Sequence, residues 1–256
     1  MDELRRAQQR ANQRRRTIIF AVIALGIIGL IYFTTRHSKS KKVATTATTS
    51  TVPGASTAST APVPVSVPVI AAPAGAGCPK FDGTSPHYTK FAAAPPSCLD
   101  PAKTYTLTFQ TDAGTFAAVL DQKQAPTTAN NFAFLAGYHY FDGIAFHRVI
   151  PGFVIQGGDP TGTGSGGPGY QFADELPKAG QYKVGSLAMA NSGPNTNGSQ
   201  FFVITGDQGV ALPAQYSLFG QVTTGLDVVK KIETDGSQSG TPAVLHKMIK
   251  VTVAVS

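Results

Sequence analysis

The stretch FHRVIPGFVIQGGD, Phe146 to Asp159, limits what this chain can fold into more than any other. Two short apolar runs flank a Pro-Gly pair, a pattern that reads as two strands and a tight connection. Arg148 lies inside the first run, where an arginine must snorkel to water or be held for a purpose. A partner stretch, MANSGPNTNGSQFF, Met189 to Phe202, ends in alternating polar and aromatic residues and reads as a further strand. The Gly/Pro/Asn loop between its halves offers backbone polar groups to a ligand.

The sequence on either side of these stretches is rich in strand signals. YTLTFQTDAGTFAAVLD, from Tyr105, alternates around Asp112-Ala113-Gly114 and predicts a hairpin. Ala125 to Tyr138 predicts a helix with Pro126 near its start, Gly137 at its end and one apolar face of Ala129, Phe132, Leu135 and Ala136. Thr224 to Glu233 predicts a shorter helix, with Asp227 early and lysines late, as the helix dipole prefers. SLAMAN, QFFVIT and SLFGQV predict strands, and Ile249, Val251, Val253 and Val255 recur at period two in a last one. Many short strands with turns between them indicate a barrel or a sandwich.

In order and spacing, the stretches 146–159 and 189–202 resemble the cyclophilin family of peptidyl-prolyl cis/trans isomerases, and a weaker likeness runs from about Lys103 to Val255. The resemblance implies an all-β fold, a closed eight-stranded antiparallel barrel capped by two helices, over residues 103–256. It also implies the chemistry. Rotation about an X–Pro bond is slow because amide resonance must be lost, a barrier of about 20 kcal/mol. At the twisted transition state the prolyl nitrogen regains its lone pair. A fixed donor near that nitrogen therefore favours the transition state over the planar ground state. By resemblance Arg148 is that donor, and Gln156 and Asn191 complete the catalytic group. Phe153, Val154, Phe202 and Leu212 would line an apolar pocket for the proline ring, with Tyr216 at its edge. Gln156 and Gln200 would supply side-chain hydrogen bonds, and the Asn191 backbone would hold the peptide strand to strand. Ala190, Ser192 and Gly164 would form the rest of the groove floor. The chemistry calls for no nucleophile, metal or cofactor.

Three positions depart from the common eukaryotic pattern of the family. Val154 stands where methionine is frequent, Tyr216 where histidine is, and Ala211, before Leu212, where tryptophan is; the chain has no Trp. The resemblance then implies weak binding of the inhibitor cyclosporin. GTGSGG, Gly162 to Gly167, lacks the Lys-Ser/Thr ending of a phosphate loop and reads as a surface loop. His147 points to the opposite face from Arg148 in alternating strand geometry and reads as structural.

The first hundred residues lie outside this likeness. Residues 1–42 hold ten Lys/Arg against Asp2 and Glu3, net +8, while the remainder holds eleven basic and twelve acidic residues, net −1. The basicity thus belongs to the N-terminal segment, and a nucleic-acid partner is not expected. Residues 1–16 form a basic arm. Thr17 to Phe33 is a 17-residue run without a charge, at the short end of the roughly 17–25 residues that span a bilayer. A transmembrane helix over 17–35 is the expectation. The basic cluster Arg36, Lys39, Lys41 and Lys42 acts as a stop, and no clear small-x-small site marks a cleaved signal peptide. Six basic residues before the run against four after it favour a cytoplasmic N-terminus; a tail-like insertion with the C-terminus in the cytoplasm is the competing topology.

Residues 36–77 read as a flexible linker of Ala, Thr, Ser, Val, Pro and Gly, uncharged from Val43 on, which cannot form a packed core. Residues 78–102 form an extension in which Cys78 and Cys98 bracket a short segment. A disulfide there would close a loop of about 20 residues and contribute about 3 kcal/mol; two free thiols are the alternative. An oxidised pair fits an extracytoplasmic location. The layout predicts a monomeric, single-pass membrane protein of a bacterial type of cell envelope, with the isomerase domain outside. Its role would be to accelerate X–Pro rotation in proline-containing secreted or surface proteins. The alternative is a tethered, non-catalytic proline-peptide-binding or chaperone module.

Overall fold

The computed structural model describes residues 64–256; the basic arm 1–16, the apolar segment 17–35 and the linker as far as residue 63 lie outside the described residues. Among the described residues no helix is long and apolar enough to cross a membrane. The elements run β1 (Tyr105–Thr111), β2 (Gly114–Leu120), α1 (Pro126–Gly137), β3 (Arg148–Ile150), β4 (Val154–Gly157), β5 (Ser186–Met189) and β6 (Phe201–Ile204). They continue with α2 (Asp207–Val210), β7 (Leu218–Thr224), α3 (Leu226–Thr234) and β8 (Met248–Val255). The hairpin expected around Asp112-Ala113 is β1–β2, with Thr111 opposite Gly114.

The eight strands form one antiparallel sheet in the order β3-β4-β6-β5-β7-β2-β1-β8, curled into a half-barrel. The expected barrel closure is not a continuous ladder. β3 has only three residues, and its outer edge is taken by the loop after α3: Val149 N–H donates to Gly240 O at 2.9 Å and Ser237 N–H to Val149 O at 3.1 Å. β8 instead meets the chain just before β3, where Gly143 N–H donates to Met248 O (2.7 Å) and Phe146 N–H to His246 O (2.9 Å).

The inner face of the sheet is aromatic. In β1 the buried residues alternate, so that Tyr105, Leu107 and Phe109 point inward. Phe132 of α1 meets Phe141 and Phe219 in stacked pairs and Phe201 edge to face, with centroids 4.4–4.9 Å apart. Such pairs add about 0.5–1.5 kcal/mol each to the burial of their area. The second cap, α3, packs against β2, β3 and β4.

α1 was expected to bury one face, but every residue from Thr128 to Gly137 is buried. The extension before β1 covers the other side. Phe91 packs on Phe134 and Tyr138, and a Cβ on Gly137 would come within 2.6 Å of the Pro79 ring. Asn130 Oδ1 accepts Cys98 N–H at 2.7 Å while its Nδ2 donates to Pro96 O at 2.8 Å. Cys78 and Cys98 form a disulfide. Ala125 has no side-chain acceptor for the N-terminus of α1. The Glu175 carboxylate does this work from a distant loop, accepting Thr127 N–H (2.9 Å), Thr128 N–H (2.8 Å) and the Thr128 hydroxyl (2.7 Å).

Residues 64–77, expected within the flexible linker, instead run along the domain. Val67 N–H donates to Pro160 O, Ala72 N–H to Lys90 O and the Tyr138 hydroxyl to Gly77 O. Val67, Ala72 and Ala76 pack against the core. The composition of this segment hid a short apolar series whose partners lie far along the chain, at Pro160 and at Lys90 of the Cys-bracketed loop.

Replacing both Cys78 and Cys98 by Ser is expected to lower the unfolding free energy by about 3 kcal/mol in urea titrations. The wild-type chain in reductant should match the double variant.

Candidate active site

Arg148 opens β3 and stands opposite Gln156 of β4, with Gln156 in turn opposite Phe202 of β6. The antiparallel register brings these three side chains to the outer face of the half-barrel, away from the aromatic interior. Arg148 Nη1 donates to Gln156 Oε1 at 3.1 Å, and Gln156 Nε2 donates to Gln200 Oε1 at 3.2 Å. Gln200 Nε2 donates to the carbonyls of Gly164 and Gly166, both at 2.9 Å. A relay of three side chains thus fixes the guanidinium to a glycine-rich loop. The guanidinium also lies 5.6 Å from the centroid of the Phe153 ring, an arrangement in which the ring face attracts the cation.

Beside the relay lies an apolar surface separate from the main core. Val154, Tyr182, Ala188, Phe202 and Ile204 are buried in it, with Phe153, Ala190, Leu212 and Tyr216 partly buried around them. Phe202 and Tyr216 meet edge to face at 5.4 Å. Gly164, Ala190, Asn191, Ser192 and Gln200 line an adjoining cleft of about 190 Å³ together with Gln156. Eleven of the twelve residues expected at the site therefore fall in two adjoining parts, an apolar wall and a polar cleft, with Gln156, Gln200 and Ala190 at the seam, and the twelfth, Arg148, joins them through its bond to Gln156. Asn191 holds its own loop in place: Nδ2 donates to Gln215 O at 3.0 Å and Oδ1 accepts Gly193 N–H at 3.3 Å. No hydrogen bond among the described residues engages its backbone N–H or C=O.

Two supporting residues were not singled out from the sequence. Asp159 anchors the loop that carries Gly164. Its Oδ1 accepts Thr161 N–H (2.7 Å) and the Thr161 hydroxyl (2.8 Å), and its Oδ2 accepts Gly164 N–H (2.6 Å). Burial alone would raise the pKa of this carboxyl, but the hydrogen bonds from Thr161 and the loop amides outweigh it and hold the group below its ordinary value. The Gly-Gly-Asp exit is the one local sign of this role: Gly158 has φ +87°, and a Cβ there would fall on the Ser199 carbonyl oxygen. Tyr182 is the other. Its hydroxyl donates to Tyr216 O at 2.7 Å and accepts Tyr216 N–H at 3.1 Å, so it sets the loop that brings Tyr216 to Phe202. It lies 34 residues away in an unpatterned stretch and gives no signal in sequence. His147 lies beneath Gly164, and burial lowers its pKa and keeps the imidazole neutral.

The sequence and the fold have counterparts among known proteins. The family described as cyclophilin type peptidyl-prolyl cis-trans isomerase/CLD matches residues 106–253. A probable peptidyl-prolyl cis-trans isomerase A of Mycobacterium bovis is 40% identical over 173 residues, 59% of this chain and 94% of that one. A peptidyl-prolyl cis-trans isomerase-like 1 of Mus musculus is 46% identical over 145 residues, 55% of this chain and 85% of the other. Among solved structures, a Cryptosporidium parvum cyclophilin type isomerase determined in the presence of the dipeptide Ala-Pro superposes with a TM-score of 0.53 at 33% identity, covering 58% of this chain and 98% of that one. The chain belongs to the cyclophilin-type family. Its activity is the isomerisation of peptidyl-prolyl bonds.

Because the native pKa of Asp159 lies below the ordinary 3.8, its stabilising contribution is complete above that ordinary value and is lost as pH falls through the native one. Hydrogen-exchange protection of the Thr161 and Gly164 amides, corrected for intrinsic rates, should hold from about pH 7 to about pH 5 and fail only below the ordinary aspartate pKa. In Asp159→Ala it should be low throughout.

Proposed function

We propose that this chain is a membrane-tethered isomerase that accelerates X–Pro rotation in polypeptides folding outside the cytoplasm, and that Arg148 is the group that lowers the barrier. The observation that carries this reading is the Arg148–Gln156–Gln200 relay at the rim of an apolar surface. A proline ring seated on Val154, Phe202 and Leu212 leaves water while its peptide bond projects toward the relay. Binding there stabilises ground and transition states alike and adds nothing to the rate by itself. The rate gain comes from a donor that meets the prolyl nitrogen only once the bond has twisted and the lone pair is free. A guanidinium suits this task because it carries several donors in a rigid plane. Its hydrogen bond to Gln156 and its seat on Phe153 restrict it before substrate arrives, so little ordering is left for the reaction. The free backbone of Asn191 would pair with the substrate as an added strand.

The extracytoplasmic setting rests on three features. The apolar run 17–35 is followed by basic residues, the linker is uncharged from Val43 on, and the Cys78–Cys98 disulfide suits an oxidising compartment. The partners of this reading are secreted or surface proteins whose folding waits on a proline.

The full chain in detergent micelles should accelerate the slow phase of a refolding protein limited by one X–Pro bond. Arg148→Ala should lose about 10²–10³-fold of the catalysed rate. Loss of acceleration in both proteins, with the client still bound, would replace this reading by that of a binding or chaperone module. In intact cells Cys78 and Cys98 should resist a membrane-impermeant alkylating reagent until reductant is added. Labelling without reductant would contradict the bridge, and no labelling even after reductant would contradict the outside placement.

A further inference from the structure

β3 is an edge strand of three residues, and an edge strand needs a partner for its outward backbone groups. That partner is the turn Gly236–Gly240. Both outward groups of Val149 bond to it, through Gly240 O and Ser237 N–H. The turn is closed on itself by Gly240 N–H to Ser237 O at 3.0 Å and by the Ser237 hydroxyl to Thr241 O at 2.7 Å. Its base is held where Asp235 Oδ2 meets His246 Nε2 at 2.8 Å. The turn therefore does not yield easily.

Gly240 is buried, with φ +90°, and lies flat against the arginine stem. A Cβ built on it would stand 3.1 Å from Arg148 Cγ, 3.5 Å from Nε and 3.7 Å from Cδ. All three nearest atoms belong to Arg148. The guanidinium itself faces the Phe153 ring and bonds to Gln156. We propose that Gly240 is a positioning residue for the isomerisation. Its bare α-carbon forms one wall of the slot in which Arg148 is held, and any side chain there displaces the donor. This inference rests on the reading of Arg148 as the donor to the prolyl nitrogen. The first thing a methyl at position 240 meets is a movable side chain, so the disturbance passes to the guanidinium.

The test is a double-mutant cycle on the full chain. Catalysed cis/trans exchange and the dissociation constant for one X–Pro peptide are read by exchange NMR for wild type, Gly240→Ala, Arg148→Ala and the double variant. Gly240→Asn serves as a second probe, since asparagine tolerates positive φ better and still carries a Cβ. The expected result is a loss of about 10- to 100-fold in catalysed exchange for Gly240→Ala and Gly240→Asn. The dissociation constant stays near the wild-type value, and Gly240→Ala produces no further loss in the Arg148→Ala background. An equal fractional loss in both backgrounds would overturn the inference, because Gly240 would then act independently of Arg148. So would wild-type exchange in both Gly240 variants. Wild-type exchange in Arg148→Ala itself would instead remove the donor reading, and the positioning role with it, which is a different signature from either.

Discussion

The site depends on the register of one three-residue strand. Arg148 faces Gln156 because β3 and β4 pair around the Pro151-Gly152 turn, and a slip by one residue would bring the buried Val149 to the surface and drive Arg148 into the interior. Several contacts prevent the slip. Glu233 of α3 accepts Gly152 N–H at 2.6 Å, pinning the turn to the second capping helix. Burial would raise the pKa of Glu233, but its bonds from the Lys230 ammonium and the Gly152 amide hold it low, so it stays a charged acceptor at neutral pH. Gly206 lies against the Gly152 backbone, where a Cβ would come within 2.6 Å of Gly152 O. The turn is thus held from both sides before any substrate contact is considered.

From that register the rest of the site follows by short steps. β4 passes its alignment to β6, which places Phe202 next to Gln156. Gln200, just ahead of β6, reaches back across the cleft to the loop that Asp159 anchors. The fold keeps two apolar assemblies apart, an aromatic core inside the curled sheet and a smaller cluster on its outer face. The first provides the stability that lets the second remain partly open. A surface that must admit a proline ring cannot also be fully packed, and the free energy it forgoes is small beside that of the interior.

How much of this could be read in the chain itself varies with distance along it. Arg148, Gln156 and Phe153 sit within one stretch, and Asn191, Gln200 and Phe202 within another, the two stretches on which the resemblance that assigned them rests. Leu212 and Tyr216 have no local signature and were placed by resemblance alone; the structure brings Tyr216 to Phe202 and packs Leu212 on the same apolar cluster. The two capping helices were legible from Pro126 and Gly137 and from the charge order in α3. Long-range contacts were not legible. Glu175 caps α1 from 47 residues away, and Gly240 reaches Arg148 from the far end of the domain. Residues 64–77 look like linker by composition, yet they dock: Val67 bonds to Pro160 of the isomerase domain, and Ile70 and Ala72 bond to Thr89 and Lys90 of the Cys78–Cys98 loop. The missing ladder between β3 and β8 also lay beyond pattern reading, since it follows from a turn taking the edge of β3.

The account turns on a division of labour in which the apolar wall binds and Arg148 accelerates. The most direct measurement is the dissociation constant and the catalysed exchange rate of one X–Pro peptide in Arg148→Ala beside Phe202→Ala. The account predicts opposite signatures. Arg148→Ala should bind the peptide nearly as well as wild type but exchange it far more slowly once bound, while Phe202→Ala should bind weakly yet exchange what it binds at a rate closer to wild type. If Arg148→Ala loses affinity and rate in the same proportion as Phe202→Ala, the arginine is a binding residue and the barrier is lowered elsewhere.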